Sequence, residues 1–230
     1  LSEDKIGQIH FSYSGSFDLI LSAQHSLNIA LQKSVSDLTQ NMEKRGGGIS
    51  KFEWLEMIDI PGVYQCRVSI LTADSMGANF INSCLEKMGK ELINQLKLVS
   101  PNLPDAEIIM AILSNYTPNC LVECTVENDI EVFSKIKGIT DPKRFAERFL
   151  LAVEISNNDS YRAVTHNKGI FNGMDAVVLA TANDFRAFEA GGHAYASKDG
   201  KYKSLTTCEL NNNTFSYTLR VPVSVGTVGG

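Results

Sequence analysis

The sequence predicts an α+β fold with antiparallel sheets, and three observations carry that expectation. Strand-like and helix-like periodicities follow one another in the order β-α-β-β-α-β over the first half. Two of those strands are consecutive, which suits an antiparallel sheet and not a doubly wound parallel one. Near the other end, two alternating runs flank a polar turn and read as a hairpin.

The elements follow in order. "GQIHFSYS" alternates, with Ile9, Phe11 and Tyr13 on one face and His10 and Ser12 on the other. From Ser16 to Arg45, Leu27, Leu31, Val35, Leu38 and Met42 recur at three- and four-residue steps, which predicts one amphipathic helix. Gly46-Gly47-Gly48 stops it, because glycine tolerates the left-handed cap and loses much entropy inside a helix. "SKFEWLEM" alternates again, with Phe52 and Trp54 on one side; "IPGV" is a turn; "VYQCRVSIL" puts Tyr64, Cys66, Val68 and Ile70 on one face. A second helix is expected from about Met76 to Leu98, with Phe80, Cys84, Met88 and Leu92 spaced by four. "SPNLPDA" breaks it, and "EIIMAILSN" is the last strand of the set. This is the ferredoxin-like, or split βαβ, order, with both helices expected on one face of the sheet.

After Asn115 the text changes. A strand is expected at 119–126, and Asp141-Pro142 reads as cap and first turn of a helix through Ile155. Ala- and Gly-rich helical text runs from Gly173 to about Ala196 with a break near Asn183. "KSLTTCEL" and "TFSYTLRV" flank Asn211-Asn212-Asn213 as the hairpin.

The 230 residues suffice for one large domain or two small ones. A formal net charge of −5 gives no general attraction to nucleic acid. No apolar stretch reaches the length of a membrane span, and a cytoplasmic protein is expected. Both "LSEDKIGQIHF" and "GTVGG" read as interior text of a longer chain. Five cysteines, Cys66, Cys84, Cys120, Cys124 and Cys208, form an odd set without CxxC spacing and read as reduced, small core residues, Cys120 and Cys124 on one face of a strand. His10, His25, His166 and His193 show no metal-ligand spacing, so no metal is expected.

Two stretches can carry chemistry. "ADSMGANFIN" lies where a strand gives way to a helix: Asp74 can cap that helix, Gly77 permits close approach of a ligand, and free N–H groups of a helix start favour phosphate. Taken alone, it fits a capped helix start equally. "YRAVTHNKGIFNGMDAVVLATANDFRAFEAGGHAYA" presents Lys168 among amides and glycines, with Asn172 one turn on and Asp184 further along. A lysine ammonium can polarise a carbonyl and stabilise the alkoxide formed when hydride arrives. Taken alone, Lys168 also fits a solvated surface lysine. Lys44 and Arg45 either complement a helix C-terminus or form a basic rim for a phosphate.

Together, "RGGGI", "ADSMGAN", "ILSN", the long stretch just quoted, "YKSLTT" and "VSVGTVGG" resemble the 3-hydroxy-3-methylglutaryl-coenzyme A (HMG-CoA) reductases of class II, found in bacteria and archaea. The resemblance covers essentially the whole chain, most loosely before Gly46. It implies a small cofactor domain at residues 1–115 and part of a larger substrate domain at 116–230. It implies nicotinamide contacts from Asp74, Met76, Gly77, Asn79 and Asn115, a catalytic Lys168 and Asp184, and substrate contacts from Arg162 and Asn172. Two hydride transfers from NADPH or NADH would convert HMG-CoA to mevalonate and free CoA, or run in reverse. Lys168 would stabilise the negative charge on the carbonyl oxygen, and Asp184, within ion-pair reach of it, would hold it cationic.

The family also uses a glutamate upstream of the small domain and a histidine on a mobile C-terminal segment. Neither region lies in this sequence, so the chain by itself is expected to turn nothing over, although it could still bind cofactor. Homodimers or higher homo-oligomers, with active sites at the subunit interface, are implied. NADH-preferring relatives carry an aspartate seven residues before the triple glycine, and ungapped counting lands on Thr39. Threonine cannot repel a 2′-phosphate, which favours NADPH or dual use; Asp37 is two residues away and complicates the count. Two rivals stand beside the reductase reading: a folded but inactive piece, and a ferredoxin-like module binding protein or RNA through Phe11, Tyr13, Phe52 and Trp54.

Overall fold

The computed structural model describes residues 4–227. Leu1 to Glu3, and Val228 to Gly230 at the end of "VSVGTVGG", lie outside the described residues. The fold is α+β with antiparallel sheets, as expected. The chain divides into two compact units, one taking in the described residues up to Asn119 and from Ser224 on, the other Cys120–Val223.

The first unit runs β1 (Asp4–Ser12), α1 (Phe17–Ser34), α2 (Ser36–Glu43), β2 (Gly48–Glu56), β3 (Val63–Leu71), α3 (Ala78–Val99) and β4 (Glu107–Ser114). Its four strands lie in the order β2-β3-β1-β4, every pair antiparallel. Strand β1 alternates as read, and Ile9, Phe11 and Tyr13 are buried. On that face α1 contributes Leu27 and Leu31, and α3 contributes Ile81, Cys84, Leu85, Met88, Leu92 and Leu96, to one continuous core. Trp54 meets Phe11 edge-on at 6.3 Å and donates its Nε1–H to Asn28 Oδ1 at 3.0 Å. Tyr64 stacks on Phe17 at 5.8 Å and donates its hydroxyl to the Gly15 carbonyl. The aromatic residues proposed for stacking bases are thus core residues: Phe11, Tyr13 and Trp54 are buried and Phe52 packs against them. A base-stacking module loses its platform.

The single helix expected over 16–45 is two helices. Val35 leaves helical geometry at φ −111° and ψ 8°, and it is fully buried. The Ser34 hydroxyl donates to the Leu31 carbonyl, satisfying one group that the break would leave open. The apolar spacing survives a break of this kind because burial of Val35, not helix continuity, sets the pattern.

The second unit runs β5 (Leu121–Asp129), a 3₁₀ turn (Ile130–Lys135), α4 (Pro142–Asn158), α5 (Ser160–Ala180), α6 (Phe185–Ala196), β6 (Thr206–Asn211) and β7 (Thr214–Pro222). The sheet order is β5-β7-β6, antiparallel throughout. The Asp141 carboxylate caps α4 by accepting from the Arg144 N–H at 2.9 Å, with Pro142 in the first turn. The hairpin β6–β7 turns at Asn212, whose φ of 56° is left-handed. Cys120 sits just ahead of β5 and is buried, whereas Cys124 within β5 is exposed, so the two do not share one environment.

Helix α5 starts thirteen residues before the expected Gly173. Asp159 caps it, accepting from the Tyr161 N–H at 2.9 Å. A Cβ at Gly169 or Gly173 would meet nothing within 4 Å. Asn167 is buried and ties the helix to the approach to β6, donating to Lys203 O at 2.9 Å and accepting from Leu205 N–H at 3.0 Å.

Candidate functional site

The three motifs of the first unit come to one end of its sheet. Leu71, the last residue of β3, pairs with Asp4 at the start of β1 and with Gly48 at the start of β2. Ser114, the last residue of β4, pairs with Ile6. Antiparallel order therefore sends "RGGGI", "ADSMGAN" and the Asn115 of "ILSN" out at the same edge. Arg45 Nη1 reaches Asp74 Oδ1 at 3.3 Å, joining the first two motifs directly. A Cβ at Gly47 would stand 2.5 Å from the Leu71 carbonyl oxygen, so only glycine lets the two loops approach this closely. A cavity of about 410 Å³ opens beside this edge, with Arg67, Ser69, Ser114 and Asn119 in its wall.

Asp74 does not cap α3. The N-cap is Gly77, in the left-handed region at φ 76°, and no side chain caps the first turn. Its N–H groups are thereby left to an anion or to water. The turn before it is closed twice: Thr72 Oγ1 donates to Ser75 O at 2.7 Å, and Ser75 Oγ to Thr72 O at 2.8 Å. Asn79 and Asn115 are exposed, and Met76 is half-buried.

Thr39 is misplaced for its expected role. It is 1% exposed, and its hydroxyl donates to Glu43 Oε1 at 2.7 Å. Asp37 is bound by Lys87 at 2.6 Å. Counting residues back from the glycines could not reveal this, because a count gives position along the chain and not which face of α2 packs inward.

In the second unit Lys168, Asn172 and Arg162 all lie on the exposed side of α5, within about a third of its circumference. Asp184 caps α6, accepting from the N–H groups of Arg186 and Ala187 at 3.0 and 3.3 Å. Arg186 also grips the carboxylate through Nε at 3.1 Å, and this bond, aided by the backbone donors, holds the Asp184 carboxyl below its usual range. The expected Lys168–Asp184 ion pair is not among the contacts of the described residues. From Lys168 to the end of α5 is about 18 Å of helix. The chain then turns at Ala182, φ 57°, and α6 packs back through Phe188 on Phe171 at 5.7 Å. A helical hairpin of this length leaves Asp184 near the far end of α5. Reading the two residues as neighbours in a motif ignored that rigid spacing.

Two contributors escaped the sequence reading. Arg186 binds Asp184, and its position two residues after a capping acid was the available signal. Asn167 fixes α5 beside Lys168; a polar residue at the buried helix phase marks it only once the helix is known.

Asp175 of α5 is placed near Glu189 of α6, and Asp175 Oδ1 is buried without a hydrogen-bond partner among the described residues. Burial first, then Glu189, push the Asp175 carboxyl up to about 6. A carboxyl whose pKa is raised by folding contributes stability that is complete below its unfolded value and lost as pH rises through about 6. Urea unfolding at pH 5 and pH 8 should show a loss of about 1 kcal/mol for this group, solvent screening included. Asp175→Asn should remove that part of the pH slope. An unchanged slope in the variant would refute the raised Asp175 carboxyl.

Comparison with known proteins places the chain. The family model for hydroxymethylglutaryl-coenzyme A reductase matches residues 15–230. The chain belongs to the HMG-CoA reductase family. A probable HMG-CoA reductase of Borreliella burgdorferi is 32% identical over 196 residues, covering 85% of this chain and 43% of that protein. The HMG-CoA reductase of Archaeoglobus fulgidus is 34% identical over 158 residues, covering 68% of this chain and 33% of the relative. A class II HMG-CoA reductase structure from Streptococcus pneumoniae, bound to NADPH in open conformations, superposes with a TM-score of 0.82 at 33% identity, over 100% of this chain and 53% of that one. A further structure of the reductase from that organism gives a TM-score of 0.83 at 32% identity over 99% of this chain and 52% of that one. The chain spans about half the length of these solved relatives and less of the curated ones. The class II resemblance carried by the motifs is borne out, and with it a family of NAD(P)H-dependent oxidoreductases. Among the described residues, no helix of this family member is long and apolar enough to cross a membrane.

Proposed function

We propose that this chain is the part of an HMG-CoA reductase that binds the nicotinamide cofactor and supplies the catalytic lysine. The observation that carries the reading is that three motifs leave the sheet at the same end, with Arg45 bonded to Asp74 there. On this reading the first unit holds the dinucleotide, with phosphate at the uncapped start of α3 and contacts from Asp74, Met76, Gly77, Asn79 and Asn115. The second unit meets HMG-CoA through Arg162 and Asn172. The nicotinamide supplies hydride when bound. Lys168 places a cation at the thioester carbonyl oxygen, where each hydride addition builds negative charge. NADPH or dual use is favoured, and the NADPH-bound solved relative supports it.

Homodimers with active sites completed at the subunit interface remain part of this reading. The separation of Lys168 from Asp184 along the helical hairpin supports it, because an Asp184 that assists a Lys168 would have to come from another copy. The test uses a protein spanning the length of the relatives. NADPH absorbance should fall only when HMG-CoA is present, two nicotinamides being oxidised for each HMG-CoA consumed. No HMG-CoA-dependent oxidation with either NADPH or NADH would overturn the assignment.

A further inference from the structure

We propose that Arg45 is the residue that selects a dinucleotide carrying a phosphomonoester on its adenosine ribose. The inference rests on the cofactor reading of the first unit and goes one step beyond it. Four groups near the triple glycine were open to this role, and the structure leaves one. Thr39 is buried with its hydroxyl spent on Glu43, and the Asp37 carboxylate, in the first turn of α2, is bound to Lys87 of α3. Arg45 remains, and it is held in place. Its Nη1 lies 3.3 Å from Asp74 Oδ1 and its Nη2 lies 3.3 Å from Met42 Sδ, while half of the side chain is open to solvent. Lys44 is exposed and makes no ion pair among the described residues, so nothing aims it.

A guanidinium has five N–H donors in a rigid fork. Two contacts fix its plane here and leave the other donors facing solvent, the arrangement that suits bidentate capture of a phosphate. Asp74 gives the bridge a second consequence. An exposed ion pair is worth little in water, so a dianionic phosphate can displace the carboxylate from Arg45 at small cost. A ribose without the phosphate brings no charge to that fork and leaves the Arg45–Asp74 bridge closed. Discrimination then comes from one cation already pointed at the loop.

The experiment measures dissociation constants of NADPH, NADH and 2′,5′-ADP for the purified chain by titration calorimetry, beside Arg45→Ala and Arg45→Lys. Arg45 is exposed, and circular dichroism confirms that the variants keep the fold. Arg45→Ala should weaken NADPH and 2′,5′-ADP by about 10- to 100-fold. NADH affinity should stay within the scatter of the measurement, and Arg45→Lys should recover part of the loss. Equal weakening of NADPH and NADH, or no weakening of NADPH, overturns the role of Arg45 while leaving the cofactor reading intact. A wild-type chain that binds neither dinucleotide overturns the cofactor reading itself.

Discussion

Lys168→Ala, in a reductase spanning the length of the curated relatives, is expected to cut turnover by about 10²–10³-fold and leave the protein folded. The size follows from the role: one preorganised charge facing a developing oxyanion is worth that factor. The fold should survive because the Lys168 side chain is exposed on α5, and alanine is the strongest helix former. Asp184 needs a different substitution. It caps α6, so Asp184→Ala would remove about 1 kcal/mol of stability together with any catalytic part. Asp184→Asn keeps an oxygen for the Arg186 and Ala187 N–H groups and removes only the charge. Steady-state turnover of Asp184→Asn should fall while its melting temperature holds close to that of the wild type. A folded Lys168→Ala enzyme with near wild-type turnover would refute the lysine's role.

Gly77→Ala is expected to destabilise the first unit by about 2–4 kcal/mol and to weaken nicotinamide binding. Two independent penalties add. Residue 77 sits at φ 76°, where an L side chain meets its own backbone. A Cβ there would also stand 2.5 Å from Thr72 Cγ2. Thr72→Ser removes that methyl group and keeps the hydroxyl that donates to Ser75 O. The double variant Gly77→Ala, Thr72→Ser should therefore regain the part of the steric penalty due to the methyl group, while the contact with the Thr72 Cβ at 2.9 Å and the conformational part remain. Denaturant unfolding of the three proteins isolates the share of the methyl group. A Gly77→Ala protein as stable as the wild type would show that α3 does not need its left-handed cap.

Much of the architecture was open to a local reading. Period-two burial in β1, the four-residue spacing in α3, the Asp141-Pro142 cap and the Asn-rich hairpin turn all act over a few residues, and local sequence governs them. The misreadings lie where a distant contact outweighed local preference. Burial of Val35 interrupts a helix whose apolar spacing runs on. Asn167, held by Lys203 and Leu205, keeps glycine-containing text helical from Ser160 onward.

The same division holds for the site. The sequence alone determined the family, because long ordered motifs such as the one around Lys168 do not arise from composition. It determined the succession of strands along the first half and the chemical types: a cation, amides, and glycines that let backbones approach. Only the tertiary structure decided which of these meet. Antiparallel pairing brought Arg45, Gly77 and Asn115 to one edge from positions far apart in the chain. The packing of α2 buried Thr39, and the turn after that helix left Arg45 outside. The rigid rise of α5 set Lys168 three turns from the end where Asp184 caps the next helix. Side-chain identity is written residue by residue, but distance between side chains is fixed by the packing of whole elements, and that no single stretch contains.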